Sequence, residues 1–178
     1  VIINGKRIYL KGMNLVPLDH MYGCVGYERY KELIRLAAEA NVNLLRVWGG
    51  GLIEKEDFYR LCDQNGIMVW QEFIQSSSGI DNAPSKNPEF LELLSKSAES
   101  AVKEKRNHIS LTFWCGGNEL MDADNVPSTY DDANIARLLK ICSEHDPTRL
   151  MLPTSASGPG EWIDLKHPGR NHDVHGPW

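Results

Sequence analysis

Near the middle of the chain, Thr112, Phe113 and Trp114 form a β-branched and aromatic run that breaks at Gly116 and Gly117 and delivers Asn118 and Glu119. A buried strand has no packing use for a carboxylate at its tip. Either Glu119 caps the next helix or it is aimed at a substrate. A carboxyl at the mouth of an apolar barrel is partly desolvated, which favours its protonated form and lets it donate a proton near neutral pH. Glycoside hydrolysis asks this of its acid, while a second carboxylate attacks the sugar or activates water. Asn118 can hydrogen-bond a sugar hydroxyl, and the tryptophans offer apolar faces for a pyranose ring.

Short apolar runs alternate with stretches of helical period and supply the elements that would carry these groups. The runs predict strands at Arg7 to Lys11, Asn43 to Trp48, Ile67 to Glu72, Ile109 to Trp114, Leu150 to Thr154 and Asp173 to His175. Four amphipathic helices lie between them. Their faces are marked by Tyr30, Leu33, Ile34 and Ala37; by Phe58, Leu61 and Cys62; by Phe90, Leu91, Leu94, Ala98, Ala101 and Val102; and by Ile135, Leu138, Leu139 and Cys142. Asn87 before Pro88 reads as an N-cap, Asn65-Gly66 as a helix stop, and Ser128 with Asp131 as a capping box.

Strands alternating with helices imply an α/β fold of parallel βαβ units. Nearly every strand ends in groups capable of chemistry: Asn14 and Asp19, Arg46 and Trp48, Gln71 and Glu72, Asn118 and Glu119, Thr154, then His175 and Trp178. A (β/α)8 TIM barrel, whose active site is assembled from the C-terminal ends of its strands, requires that distribution. A dinucleotide-binding sheet would carry GxGxxG after its first strand, and the motif is absent. Eight strands typically need about 250 residues. With 178 residues and about six strands, the expectation is an incomplete barrel, its first three quarters.

Composition narrows the classes further. At 42% hydrophobic and 24% charged residues the chain can bury one core. A net charge of -5 and scattered basic residues argue against a nucleic-acid partner. No apolar run reaches the length of a membrane span, so no membrane partner is expected. The opening VIINGKRIYL lacks the regions of a signal peptide, and a start at valine suggests upstream sequence. Cys24, Cys62, Cys115 and Cys142 form no CxxC pair and read as buried free thiols, which slightly favours a cytoplasmic location. His167, His172, Asp173 and His175 have weak spacing for a metal, and neither metal nor cofactor is expected.

Several segments together resemble glycoside hydrolase family two. RNHISLTFWCGGNE is similar to its acid/base segment, and LLRVWGGGLIEKEDFYRLCDQNGIMVWQEF to the second strand, second helix and third strand of its β-mannosidase branch. VIINGKRIYLKGMN resembles the passage from a preceding immunoglobulin-like domain into the barrel, and DPTR at 146 to 149 the approach to the fifth strand. The resemblance implies a retaining glycosidase acting on β-linked sugars. Glu119 would be the general acid/base, Asn118 its neighbour at the 2-hydroxyl, and Arg46 the arginine supporting the catalytic carboxylates. Trp48 would shape the sugar pocket, with Asp19 near the sugar and His175 and Trp178 in the sixth-strand segment. The family's nucleophile is a glutamate on the seventh strand, which would follow Trp178.

Asn14-Leu15-Val16-Pro17 replaces the family's Asn-Trp-Ile-Pro, Glu72 replaces the Asp of Trp-Gln-Asp-Phe, and the loop from Gln75 to Lys86 differs from the mannosidase loop. Alternatives therefore stay open: a carbohydrate-binding or structural fragment, or the specificity of a galactosidase, glucuronidase or glucosaminidase. Arg46 also has a structural reading as a buried bridge, Trp48 as core filler, and Glu72 reads as non-catalytic. An open barrel leaves strand edges exposed, so self-association is expected.

Overall fold

The structure, a computed structural model, describes residues 1–76, 82–122 and 126–156. Five parallel strands form its centre: β3 (Gly12–Leu15), β4 (Leu44–Val47), β5 (Met68–Glu72), β6 (Leu111–Cys115) and β7 (Leu150–Leu152). They are hydrogen-bonded in the order in which they occur along the chain. A doubly wound sheet reverses its strand order at a switch point; among the described strands this one does not reverse. Consecutive parallel neighbours with one helix in each crossover are the (β/α) progression of a barrel wall.

The helices are α1 (Tyr27–Glu39), α2 (Glu56–Asn65), α3 (Pro88–Lys105) and α4 (Ala133–His145). Their apolar stripes meet one face of the sheet. Tyr30, Ile34, Phe58, Leu94, Val102, Ile135 and Leu138 join Leu45, Val47, Val69, Trp114 and Met151 in a single core. Trp114 is fully buried, stacks on Phe73 with ring centroids 5.1 Å apart, and donates its indole N–H to Asp146 at 2.9 Å. The other face carries the register row Asn14, Arg46, Trp70, Phe113 and Leu150, which is half-buried or exposed. Large side chains therefore seal the helix side, while the inner side retains polar groups.

Helix punctuation follows local rules at two of three expected places. The Asn87 Oδ1 accepts the backbone N–H groups of Glu89 and Phe90 ahead of Pro88, and Gly66 ends α2 at φ 66°, a left-handed conformation open to glycine at little cost. The capping box at Ser128 and Asp131 does not form. Asp132 occupies the N-cap of α4 and accepts the Thr129 N–H at 2.9 Å, while Ser128 is buried behind it.

Three further expectations need correction. Arg7 to Lys11 is not the first barrel strand: β1 (Ile2–Ile3) and β2 (Lys6–Arg7) form an antiparallel hairpin, and β3 begins at Gly12. Asn4 and Gly5, with φ 50° and 75°, make the tight Asn-Gly turn that closes such ribbons. Ile109 lies outside β6 and is exposed, because the chain first turns through Ser110 before entering the sheet. Cys24 is exposed on a 3-10 turn, whereas Cys62, Cys115 and Cys142 are buried thiols. The strand expected at Asp173 to His175 lies outside the described residues. No described helix is long and apolar enough to cross a membrane.

Candidate active site

The C-terminal ends of β3, β4, β5 and β6 bring together residues far apart in sequence. Arg46 points to the inner side of the sheet at β4 and is held by three partners. Its Nε donates to Glu72 Oε1 at 3.0 Å and its Nη2 lies 2.8 Å from the same oxygen. Its Nη1 donates to Asn14 Oδ1 at 2.9 Å, and its Nη2 to Asn118 Oδ1 at 2.6 Å. The guanidinium also lies 5.4 Å from the centre of the Trp70 ring. A planar fork with five donors can hold three acceptors in fixed relative positions; a lysine ammonium cannot.

The second oxygen of Glu72 accepts the Gly49 N–H at 2.8 Å. Gly49 follows β4 in a turn with no space for a side chain: a Cβ would fall 2.6 Å from the Gln75 carbonyl and 2.7 Å from that of Phe73. Gly50 is constrained in the same way, since a Cβ there would lie 2.1 Å from the Trp48 ring. The glycines thus let the indole of Trp48 fold back over the turn. Glu72 itself is fully buried, and burial pushes its carboxyl above the ordinary value against the opposing pull of Arg46 and the Gly49 amide.

Asn118 is oriented from both ends. Its Oδ1 accepts from Arg46, which assigns the amide, and its Nδ2 donates to Ser76 Oγ at 3.2 Å. Its backbone N–H donates to the Gln75 carbonyl at 2.9 Å. Gln75 is secured in turn, donating to the Gly116 carbonyl and accepting from Asn134, each within 2.9 Å. An Asn amide held this way presents its remaining N–H in a fixed direction.

Glu119 follows directly, with φ 53°. A non-glycine residue in this region costs on the order of 1–3 kcal/mol and persists only where its surroundings over-determine it. Those surroundings are Thr154 and Ser155, just beyond β7. The Glu119 N–H donates to Ser155 Oγ at 2.8 Å and the Leu120 N–H to Thr154 Oγ1 at 2.8 Å. Glu119 does not cap a helix, since α4 begins at Ala133 with Asp132 as its N-cap. Its side chain lines a cavity of about 280 Å³ together with Asn14, Val16, Arg46, Trp48 and Asn118.

Four expected residues, Arg46, Trp48, Asn118 and Glu119, share that cavity. Asp19 lines a neighbouring one of about 340 Å³, with Pro17, His20 and Tyr22, and its Oδ1 accepts the Met21 N–H at 2.8 Å. Val16 and Trp48 border both cavities. His175 and Trp178, like the cluster of His167, His172 and Asp173, lie outside the described residues. Among the described residues no group of three or more His, Cys, Asp or Glu is placed to hold a metal. Asn14, expected among the strand-end groups but given no role, also lines the cavity, whereas Ser155 beneath Glu119 was not expected and carries no local signal.

The fold and the gathering of these groups at the strand ends define a TIM-barrel segment with a candidate site at its C-terminal face, and comparison with known proteins agrees on the fold. Residues 1–159 match the family described as glycosyl hydrolases family 2, TIM barrel domain, and the chain belongs to that family. It is 43% identical over 117 residues to a beta-mannosidase of Rattus norvegicus, covering 66% of this chain and 13% of that protein. It is 39% identical over 133 residues to a beta-mannosidase B of Thermothelomyces thermophilus, covering 74% and 15%. The crystal structure of a beta-D-mannosidase from Dictyoglomus thermophilum superposes with a TM-score of 0.76 at 36% identity, covering 88% of this chain and 20% of that one. The chain thus spans about one seventh of the curated relatives' length.

Proposed function

We propose that this chain is the substrate-binding and acid/base portion of a retaining β-mannosidase barrel. One observation carries the reading: Arg46 ties Asn14, Glu72 and Asn118 into a single array beside Glu119, at a cavity walled by Trp48. The similarity to β-mannosidases supports the sugar class. Trp48 offers an apolar face to the pyranose and the outward N–H of Asn118 reaches its 2-hydroxyl.

In the first step Glu119 gives its proton to the glycosidic oxygen as the bond to the anomeric carbon breaks. A glutamate on a later barrel strand, about 5 Å from Glu119, bonds to that carbon to form a glycosyl-enzyme. Glu119, now ionised, takes a proton from water as the water attacks, restoring both carboxyls with retained configuration. Glu72 is not that nucleophile in this scheme, because both of its oxygens are engaged by Arg46 and Gly49 behind the cavity wall. The reaction needs no metal or cofactor. Asp19, His175 and Trp178 would contact the sugar or its leaving group. As an isolated segment the chain would self-associate through the open strand edges of an incomplete barrel; a monomeric mass by light scattering across a concentration series would count against that.

The test is hydrolysis of 4-nitrophenyl β-glycosides by the complete protein that contains this segment. Turnover of the mannoside ahead of the galactoside, glucuronide and glucosaminide is expected, with Glu119→Gln slower by about 100-fold or more. Exclusive turnover of another sugar would overturn the mannosidase reading. An undiminished Glu119→Gln variant would overturn the role of the residue.

A further inference from the structure

We infer that Thr154 and Ser155, at the end of β7, are positioning residues for the acid/base function of Glu119, an inference that rests on the reading above. The turn from Gly117 to Leu120 is secured to these two residues at four points. The Glu119 N–H donates to Ser155 Oγ at 2.8 Å, and the Leu120 N–H to Thr154 Oγ1 at 2.8 Å. In return the Gly117 carbonyl accepts the Ser155 N–H at 3.0 Å and the Thr154 hydroxyl at 3.2 Å. Thr154 is fully buried and Ser155 nearly so, so water competes poorly for either hydroxyl.

This clamp acts on the residue whose backbone is held in the left-handed region, at φ 53°. Glu119 favours other conformations on its own, and its carboxyl direction is fixed through that dihedral. Removing the Ser155 hydroxyl deprives the Glu119 amide of this acceptor and releases the turn toward a relaxed conformation. The carboxyl then leaves the line to the glycosidic oxygen. A displacement of about 1 Å costs on the order of 100-fold in a proton transfer that depends on alignment. By contrast, Asn118 and Arg46 keep their own partners, Ser76 and Glu72. Sugar binding should therefore survive while proton donation fails.

The experiment compares wild type with Ser155→Ala, Ser155→Thr, Thr154→Val and Thr154→Ser in the complete protein. Its readout is kcat/KM on phenyl and on 2,4-dinitrophenyl β-mannoside. The phenyl leaving group needs the acid and the dinitrophenyl group does not, so Ser155→Ala and Thr154→Val should lose about 30-fold or more on the first and less than about 3-fold on the second. Ser155→Thr and Thr154→Ser, which keep a hydroxyl, should recover most of the loss. Thr154→Val, nearly isosteric, carries the test if Ser155→Ala does not fold. Equal losses on both substrates, or no loss, would overturn the positioning role while leaving the mannosidase reading intact. A folded wild type inactive on both mannosides would overturn both together.

Discussion

Two arginines are held by networks at opposite ends of the sheet, and they differ in what holds them. Arg149, at the N-terminal edge of β7, donates to the backbone carbonyls of Leu111, Arg106 and His108 and to both oxygens of Asp146. Asp146 also accepts the Trp114 indole N–H. Arg46, at the C-terminal edge of β4, donates only to side chains, those of Asn14, Glu72 and Asn118, and borders a cavity. A guanidinium spent on main-chain carbonyls ties strands and loops together. One that orients amides and a carboxylate around open space fixes the lining of a cavity. The comparison teaches that a barrel separates stability from chemistry along the strand axis, with the same residue type serving either according to its end.

The carboxylates repeat the contrast. At the foot, burial works to raise Asp63, but hydrogen bonds from Ser110 and His108 prevail and the net position is below the ordinary 3.8. At the mouth, burial prevails at Glu72 despite Arg46, and the net position is above the ordinary 4.5. The foot thus favours the ionised acid, while the mouth tolerates it at a cost.

The largest expected effect that would sharpen this division comes from Arg149→Met. It leaves the buried Asp146 without its counter-ion and three carbonyls without this donor, and should destabilise by about 3–5 kcal/mol in urea unfolding, with kcat/KM per folded molecule unchanged. Arg46→Lys should behave oppositely, with kcat/KM on aryl β-mannosides down about 100-fold and a much smaller shift in the unfolding midpoint. If Arg46→Lys lowers the unfolding midpoint as far as Arg149→Met while leaving kcat/KM per folded molecule unchanged, the division fails.

The pH dependence of stability separates the ends a third way. Glu72, raised in the folded state, contributes stability below its unfolded value near 4.5 that is lost as pH rises through its folded value. Asp63, lowered, contributes stability above its unfolded value near 3.8 that is lost as pH falls through its folded value. Asp63→Asn should therefore weaken the acid-side loss in a pH series of urea midpoints, and Glu72→Gln should remove the decline above 4.5. The smallest effect sets the scale: Asn87→Ala, at the cap of α3 and away from both networks, should cost about 1 kcal/mol with no change in activity.

The sheet and helices were legible because they rest on periodicity and caps within short windows. The apolar rows of α1 to α4, the Asn87 cap and the Gly66 stop are local signals, and the strand order followed from their alternation. The hairpin at Asn4-Gly5 was equally local but was overlooked because the following apolar residues suggested an earlier barrel strand. The failed capping box at Ser128 shows the limit of a spacing motif when Asp132 competes for the same turn. The lining of the candidate cavity was legible as residue types at strand ends: Arg46, Trp48, Asn118 and Glu119. Its wiring was not, since Arg46 meets partners 26, 32 and 72 positions away and Glu119 meets Ser155 at a separation of 36. Asp19, placed near the sugar by resemblance, belongs to the adjoining cavity because its Asx turn holds it beyond Trp48.

The most direct measurement is kcat/KM of Glu119→Ala in the complete protein against aryl β-mannosides of graded leaving-group basicity, together with its kcat on dinitrophenyl mannoside with and without azide. Loss of about 1,000-fold on phenyl mannoside shrinking to less than about 10-fold on dinitrophenyl mannoside, with azide restoring turnover as β-mannosyl azide, is the predicted result. A loss that is uniform across leaving groups and indifferent to azide would contradict the assignment of Glu119 as the acid/base that the mouth of this barrel is built to aim.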